Sequence, residues 1–215
     1  MEILLVDDHP FTIEGYQNVM NNTFVPQPFI TVAGSCDTAW EAIQRIQVGK
    51  SFNLAVIDQS LPPSPQHKLN NGTDIALLLR KVMPDCKIIM VTAHNEILVL
   101  YDIFKKAEPE GFITKSELTP QKLSEIATRI NDGDTYKSPA INKSISQVWM
   151  KELMVDDTNR QILFFMAKGY KAMELADLVF LSDSSVQKRI ASMKKAFNVT
   201  DNNSLVKEAI NQGFL

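Results

Sequence analysis

The chain has 215 residues, 45% hydrophobic and 22% charged, with a net charge of −3. That composition leaves enough apolar material for one large or two small cores and excludes a disordered chain of low hydrophobicity. The longest apolar runs, such as Ile88–Val91 and Ile97–Tyr101, fall far short of the roughly 20 residues of a bilayer helix, so no membrane span is expected. The start Met1-Glu2 runs straight into an apolar stretch, which predicts no signal peptide. Cys36 and Cys86 have no Cys or His nearby at metal-ligand spacing, which predicts reduced, apolar thiols and a cytoplasmic protein.

Short apolar runs alternate with helical patterns through the first half. Ile3-Leu4-Leu5-Val6 reads as a buried strand ending at Asp7-Asp8, and Pro10 suits the first turn of a helix. Phe29–Ala33 predicts a second strand. Over residues 38–48, Ala39, Ala42, Ile43 and Ile46 fall at helical spacing. Leu54-Ala55-Val56-Ile57 predicts a third strand ending at Asp58. Thr73–Val82 predicts a helix with Ile75, Leu78, Leu79 and Val82 on its apolar face. Lys87–Val91 predicts a fourth strand ending at Thr92, and residues 95–106 another helix. Gly111-Phe112-Ile113-Thr114 predicts a fifth strand ending at Lys115, and Thr119-Pro120 opens a helix to about Asn131. Five β-α units with continuously apolar strands predict an α/β domain over 1–132: a flavodoxin-like (βα)5 arrangement whose parallel five-stranded sheet carries helices on both faces.

Gly133, Pro139 and a Ser/Asn-rich stretch predict a linker over 133–150. Beyond it the pattern is helical only, over about 156–167, 171–178, 182–197 and 201–213, with Gly169 separating the first pair; this predicts a small all-α domain over 151–215. The charge divides unevenly. Residues 1–132 hold 11 Lys+Arg against 16 Asp+Glu, whereas residues 151–215 hold 9 against 8. Lys188, Arg189, Lys194 and Lys195 concentrate the basic excess on one predicted helix.

In parallel α/β sheets the site lies beyond the carboxyl ends of the strands, and here those ends carry Asp7, Asp8, Asp58, Thr92 and Lys115. Gathered carboxylates repel one another and need a cation, and an all-oxygen set suits Mg²⁺. A carboxylate such as Asp58 can also act as a nucleophile toward a phosphoryl group. Lys115 would neutralise the phosphoryl charge and the Thr92 hydroxyl would hydrogen-bond one of its oxygens.

These stretches resemble the response-regulator receiver family. The matching pieces are Leu5-Val6-Asp7-Asp8-His9-Pro10, Val56-Ile57-Asp58-Gln59-Ser60-Leu61-Pro62, Val91-Thr92-Ala93 and Gly111-Phe112-Ile113-Thr114-Lys115. The resemblance implies that Asp58 is the phosphoacceptor and that Lys115 binds the phosphoryl group. It implies Mg²⁺ on Asp8, Asp58 and the Ser60 backbone carbonyl, with Asp7 acting through water. Thr92 and Phe112 fall where the family has its switch pair. One departure is the stretch Pro63–Asn71, which separates Pro62 from Gly72 by several residues more than usual. It reads as a surface insertion bordering the pocket, with His67 solvated; His9 and His94 are given no catalytic role.

Residues 160–205 resemble the NarL/FixJ (LuxR-type) helix-turn-helix. The carrying residues are Ile162-Leu163 through Ala167-Lys168-Gly169, Glu174-Leu175-Ala176, Phe180-Leu181-Ser182, Val186 and the helix to Phe197-Asn198-Val199. Independently, Val186, Ile190, Met193 and Phe197 form a stripe to be buried, and Ser182 suits an N-cap. Ser184, Gln187, Lys188 and Ala191 form an outer face that suits the major groove. Carried over by position, Gln187 and Lys188 are the base-edge readers, and Ser184, Ser185, Arg189, Lys194 and Lys195 the candidates for phosphate contacts. Where the family commonly has a basic residue this chain has Gln187, where it has a histidine this chain has Arg189, and the acidic residue near the domain start is Gln161.

Together these features predict a non-enzymatic, phosphorylation-switched transcription factor. Its expected partners are a sensor histidine kinase, double-stranded DNA, a second copy of itself and RNA polymerase. The sequence opposes two rival readings. An aspartyl-phosphate hydrolase of the haloacid dehalogenase type needs a second Asp two positions after the first, where this chain has Ser60. A receiver that switches without phosphorylation is opposed by the presence of Asp7, Asp8, Asp58, Thr92 and Lys115.

Overall fold

A computed structural model describes residues 1–45 and 51–215, with all of their side chains except those of Met150, Lys151, Val155, Ala172 and Met173. Contacts divide it into two compact units, Met1–Asn142 and Lys143–Leu215.

The first unit is built on the strands β1 (Glu2–Val6), β2 (Phe29–Ala33), β3 (Leu54–Asp58), β4 (Lys87–Thr92), β5 (Gly111–Thr114) and β6 (Tyr136–Lys137). They pair in parallel in the order β2-β1-β3-β4-β5-β6. The connecting helices are α1 (Pro10–Thr23), α2 (Cys36–Arg45), α3 (Gly72–Val82), α4 (Ile97–Ala107) and α5 (Pro120–Asn131). Strand residues alternate between two buried faces, which explains why the runs are apolar without interruption. Ile3, Leu5, Val56, Ile89, Val91 and Ile113 pack with α1 and α5 residues such as Tyr16, Met20, Leu123 and Ile130. Ile46, part of the expected apolar face of α2, lies outside the described residues, as do positions 47 and 48.

The sheet has one strand more than the five expected, and 133–150 is not an irregular linker. The two-residue β6 adds to β5, pairing Gly111 with Tyr136 and Phe112 with Lys137. Helix α6 (Pro139–Val155) follows at once. Pro139 belongs at the first helical position, where its missing N–H costs nothing. Buried Ile141, Ile145 and Val148 recur at helical spacing among the serines and asparagines.

The second unit holds α7 (Asp157–Ala167), α8 (Ala172–Leu178), α9 (Asp183–Ala196) and α10 (Asn202–Asn211). Ser182, Asp156 and Asp201 cap α9, α7 and α10 by accepting backbone N–H bonds. Val186, Ile190, Met193 and Phe197 are buried with Ile162, Leu163, Leu175 and Leu205, so the expected α9 stripe faces the core.

Gly72 opens α3 directly against the end of β3. A Cβ there would lie 2.0 Å from the Asp58 carbonyl oxygen, so no side chain fits without moving backbone. Gly72→Ala is expected to cost about 3 kcal/mol through this overlap. Urea unfolding checks it; a loss under about 1 kcal/mol would show that the α3 start can retreat.

Candidate functional site

Strand register fixes the first site. Val6 pairs with Ile57, which brings Asp7 and Asp58 level at the exits of β1 and β3. Asp58 pairs with Val91, and Thr92 with Thr114, so Thr92 and Lys115 leave the sheet within two residues of the same level. The chain runs outward from β1 in both directions, to β2 and to β3, making this the topological switch point of the sheet.

Asp7 and Asp58 are each 1% exposed, and the Lys115 ammonium lies 3.0 Å from Asp7 Oδ2 and 3.0 Å from Asp58 Oδ2. Neither Asp58 carboxylate oxygen takes a hydrogen bond of normal geometry among the described residues. Oδ2 faces the Lys115 charge, and the Ser60 backbone N–H is near enough to help hold the carboxyl down. Burial pushes the Asp58 carboxyl above its ordinary value; Lys115 pulls it down and Asp7 adds to the rise. Burial opposes charge on Lys115, but Asp58 and Asp7 outweigh it and hold the ammonium above its ordinary value. Tyr16 of α1 borders the pair, its phenol pushed well up by burial and then by the charges of Asp7 and Asp58.

Asp8 is exposed and turns toward His9, for which no role is expected from the sequence. His9 Nδ1 lies 2.7 Å from Asp8 Oδ1 and 3.1 Å from Asp7 Oδ1. These three residues offer ligand atoms within 4.8 Å of one another. Asp58 stands outside that group and is tied to it through the shared Lys115. Three carboxylates at one rim, with one buried oxygen unpartnered, fit a hard divalent cation.

Thr92 is fully buried and its hydroxyl accepts the His94 N–H at 3.0 Å. Phe112 is also fully buried. Ser60 is exposed just beyond Asp58.

The inserted stretch is an ordered structure. It makes a 3-10 turn at Pro65–His67, and Ser64 and Leu69 bridge across its base. Asp37 of α2 accepts from Ser64 Oγ at 3.0 Å and Gln66 Nε2 at 2.6 Å. The His67 ring, expected to be solvated, is half-buried and stacks on Trp40 at 3.7 Å between centroids, 10° from parallel. Both cysteines are free and buried, and burial raises the thiols to about 11 for Cys36 and about 12 for Cys86.

In the second unit Ser184, Gln187 and Lys188 are exposed on α9, opposite its buried stripe. Ser185 is half-buried, its hydroxyl 2.9 Å from that of Ser182. Lys194 is half-buried and Lys195 exposed, with the Lys195 ammonium over the Trp149 ring. Arg189 departs from its expected phosphate role. Its guanidinium donates to Asp156 Oδ2 and to Asn159 Oδ1, each at 2.9 Å, and Asn159 is buried. The charge partner near the start of the helical unit is therefore Asp156. Phe180, in the turn before α9, is 94% exposed with a left-handed φ of +54°.

The response regulator receiver domain family matches residues 3–128, more than half of the chain. The chain belongs to that family. Receiver domains bind Mg²⁺ at the acidic pocket, and the family is one of regulators rather than enzymes. The oxygen regulatory protein NreC of Staphylococcus carnosus is 24% identical over 100% of this chain and 99% of its own length. Among solved structures, the RcsB response regulator of Salmonella typhimurium superposes with a TM-score of 0.56, at 16% identity over 98% of each chain. RcsB in complex with DNA gives 0.56 at 15% identity, again over 98% of each chain. A LuxR-family two-component response regulator from Aurantimonas sp. SI85-9A1 is 25% identical over 68% of this chain and 95% of its own, with a TM-score of 0.54. Among the described residues, no helix of this receiver protein is long and apolar enough to cross a membrane.

The raised Asp58 carboxyl carries a sign for stability. A group raised on folding stabilises below its unfolded pKa, and that contribution is lost as pH rises through the folded value. At neutral pH the ionised Asp58 is therefore a cost. Asp58→Asn is expected to raise the unfolding temperature in metal-free buffer, by about 2–4 °C for each kcal/mol relieved. The gap should narrow toward acid pH. Thermal scans at pH 5 and pH 7 check it; an equal or lower midpoint at pH 7 would contradict the sign.

Proposed function

We propose that this receiver protein is a two-component response regulator and DNA-binding transcription factor, switched by phosphorylation of Asp58 by a sensor histidine kinase. The observation that carries the reading is the buried pair of Asp7 and Asp58 sharing one ammonium at the exits of β1 and β3. The receiver domain spans 1–132, residues 133–150 connect it onward, and 151–215 bind DNA. It is read as a cytoplasmic protein.

An Asp58 oxygen forms the new P–O bond as the bond to the donor breaks, and the donor side chain leaves with its electron pair. Lys115 follows the charge from the carboxylates to the phosphoryl oxygens. Asp8, Asp58 and the Ser60 carbonyl would hold Mg²⁺ directly and Asp7 through water, and the ion would neutralise charge on the transferred group. The Thr92 hydroxyl leaves the His94 N–H to meet a phosphoryl oxygen, and Phe112, already inside, is held there.

The exposed face of α9 supports DNA reading: Gln187 and Lys188 at base edges, with Ser184, Ser185, Lys194 and Lys195 toward phosphates. Arg189 is left out of that set because Asp156 and Asn159 occupy it. Dimerisation on paired half-sites and contact with RNA polymerase complete the reading.

Two experiments check it. Incubation with acetyl phosphate and Mg²⁺ should add one phosphoryl mass to the wild type and none to Asp58→Ala; an unchanged wild-type mass sinks the phosphorylation claim. Gln187→Ala with Lys188→Ala should abolish binding to a site selected from random DNA, while Arg189→Ala lowers unfolding stability by about 1–3 kcal/mol by leaving Asn159 Oδ1 without its donor. Retained binding by the double variant would remove α9 as the reading helix.

A further inference from the structure

The 3-10 turn Lys115–Glu117 joins the acidic pocket to contacts that the pocket chemistry does not use. Its first residue supplies the ammonium shared by Asp7 and Asp58. In its last, Glu117 Oε2 accepts from the Thr114 hydroxyl at 2.7 Å and Oε1 from the Ala140 N–H at 3.2 Å. Ala140 is the second residue of α6, so one carboxylate occupies the anion-favouring end of that helix. Burial acts to raise the Glu117 carboxyl, but Ser138, Thr114 and the Ala140 N–H outweigh it and hold it below its ordinary value.

The backbone around this carboxylate is fastened to the same strand that leads to Lys115. Tyr136 N–H donates to the Glu110 carbonyl at 2.8 Å, and Ser138 N–H to the Phe112 carbonyl at 2.9 Å. Ser138 Oγ is wholly buried and, though near enough to Glu117 to depress its pKa, is outside normal hydrogen-bonding geometry. A buried hydroxyl left unpaired is destabilising. A small shift of Glu117 would let its carboxylate take the Ser138 hydroxyl, giving the junction a second way to pair.

We propose that Glu117 couples the Asp58 pocket to α6: charge gained at Asp58 draws Lys115 off Asp7, shifts the turn, and loosens the hold of Glu117 on the first turn of α6. The coupling rests on Asp58 being the phosphoacceptor. It is reciprocal, so releasing α6 favours phosphorylation of Asp58.

Amide exchange at Ala140, measured by NMR on the labelled full chain with and without acetyl phosphate and Mg²⁺, tests this alongside intact mass. On phosphorylation the wild-type Ala140 amide should exchange about tenfold faster, with α5 core amides such as Ile126 unchanged. Glu117→Ala should exchange fast in both states and reach half-phosphorylation sooner than wild type. Glu117→Gln, which keeps one acceptor oxygen, should fall between them. A phosphorylated wild type with unchanged Ala140 exchange overturns the coupling and leaves the Asp58 reading standing. Equal acceleration at Ile126 overturns it as general loosening. A wild type that gains no phosphoryl mass overturns the Asp58 reading, and the coupling with it.

Discussion

Two carboxylates that leave neighbouring buried strands at the same level share a single ammonium. Asp7 and Asp58 are brought level by the pairing of β1 with β3, and water is excluded from both. Unpaired, they would repel and one would take up a proton. Lys115 prevents this from two strands away, which requires β4 to carry only a neutral side chain, Thr92, between them. The segment after β5 is held in turn: Lys115 looks into the pocket, Glu117 away from it to α6, and β6 closes against β5. The pocket and the start of α6 are two ends of one short stretch of chain.

The strands and the strand-end residues were legible because parallel sheets leave a strong signature, apolar runs with polar residues only at their exits. All five long strands lie where the runs are. What escaped was held by single contacts between distant residues. The inserted stretch reads as loose surface, yet Asp37 and Trp40 of α2 fix it. A two-residue β6 has no periodicity to detect. For α6 a signal existed in Ile141, Ile145 and Val148, but Pro139 and the serines and asparagines looked like a break. Proline at a first helical position marks a start as readily as a stop. His9 was passed over because its role depends on a rotamer that brings Nδ1 to two carboxylates.

On α9 the apolar stripe was legible from spacing alone, and the exposed side chains opposite it follow from geometry. The fate of Arg189 was not, because it depends on Asp156 and Asn159, some thirty residues earlier. The chain departs from the helix-turn-helix pattern at Gln161 and at Arg189, and the structure joins the second departure to an acid on α7's cap.

That junction has a consequence for modular exchange. The guanidinium of Arg189 satisfies both the half-buried Asp156 and the carbonyl of the buried Asn159, whose amide in turn donates to the Leu153 carbonyl. Replacing α9 alone with a helix carrying histidine at position 189 would leave Asn159 half-satisfied and Asp156 without its cation. Helices α7 and α9 are therefore fastened as a pair, and a change at position 189 of α9 is felt at the cap of α7.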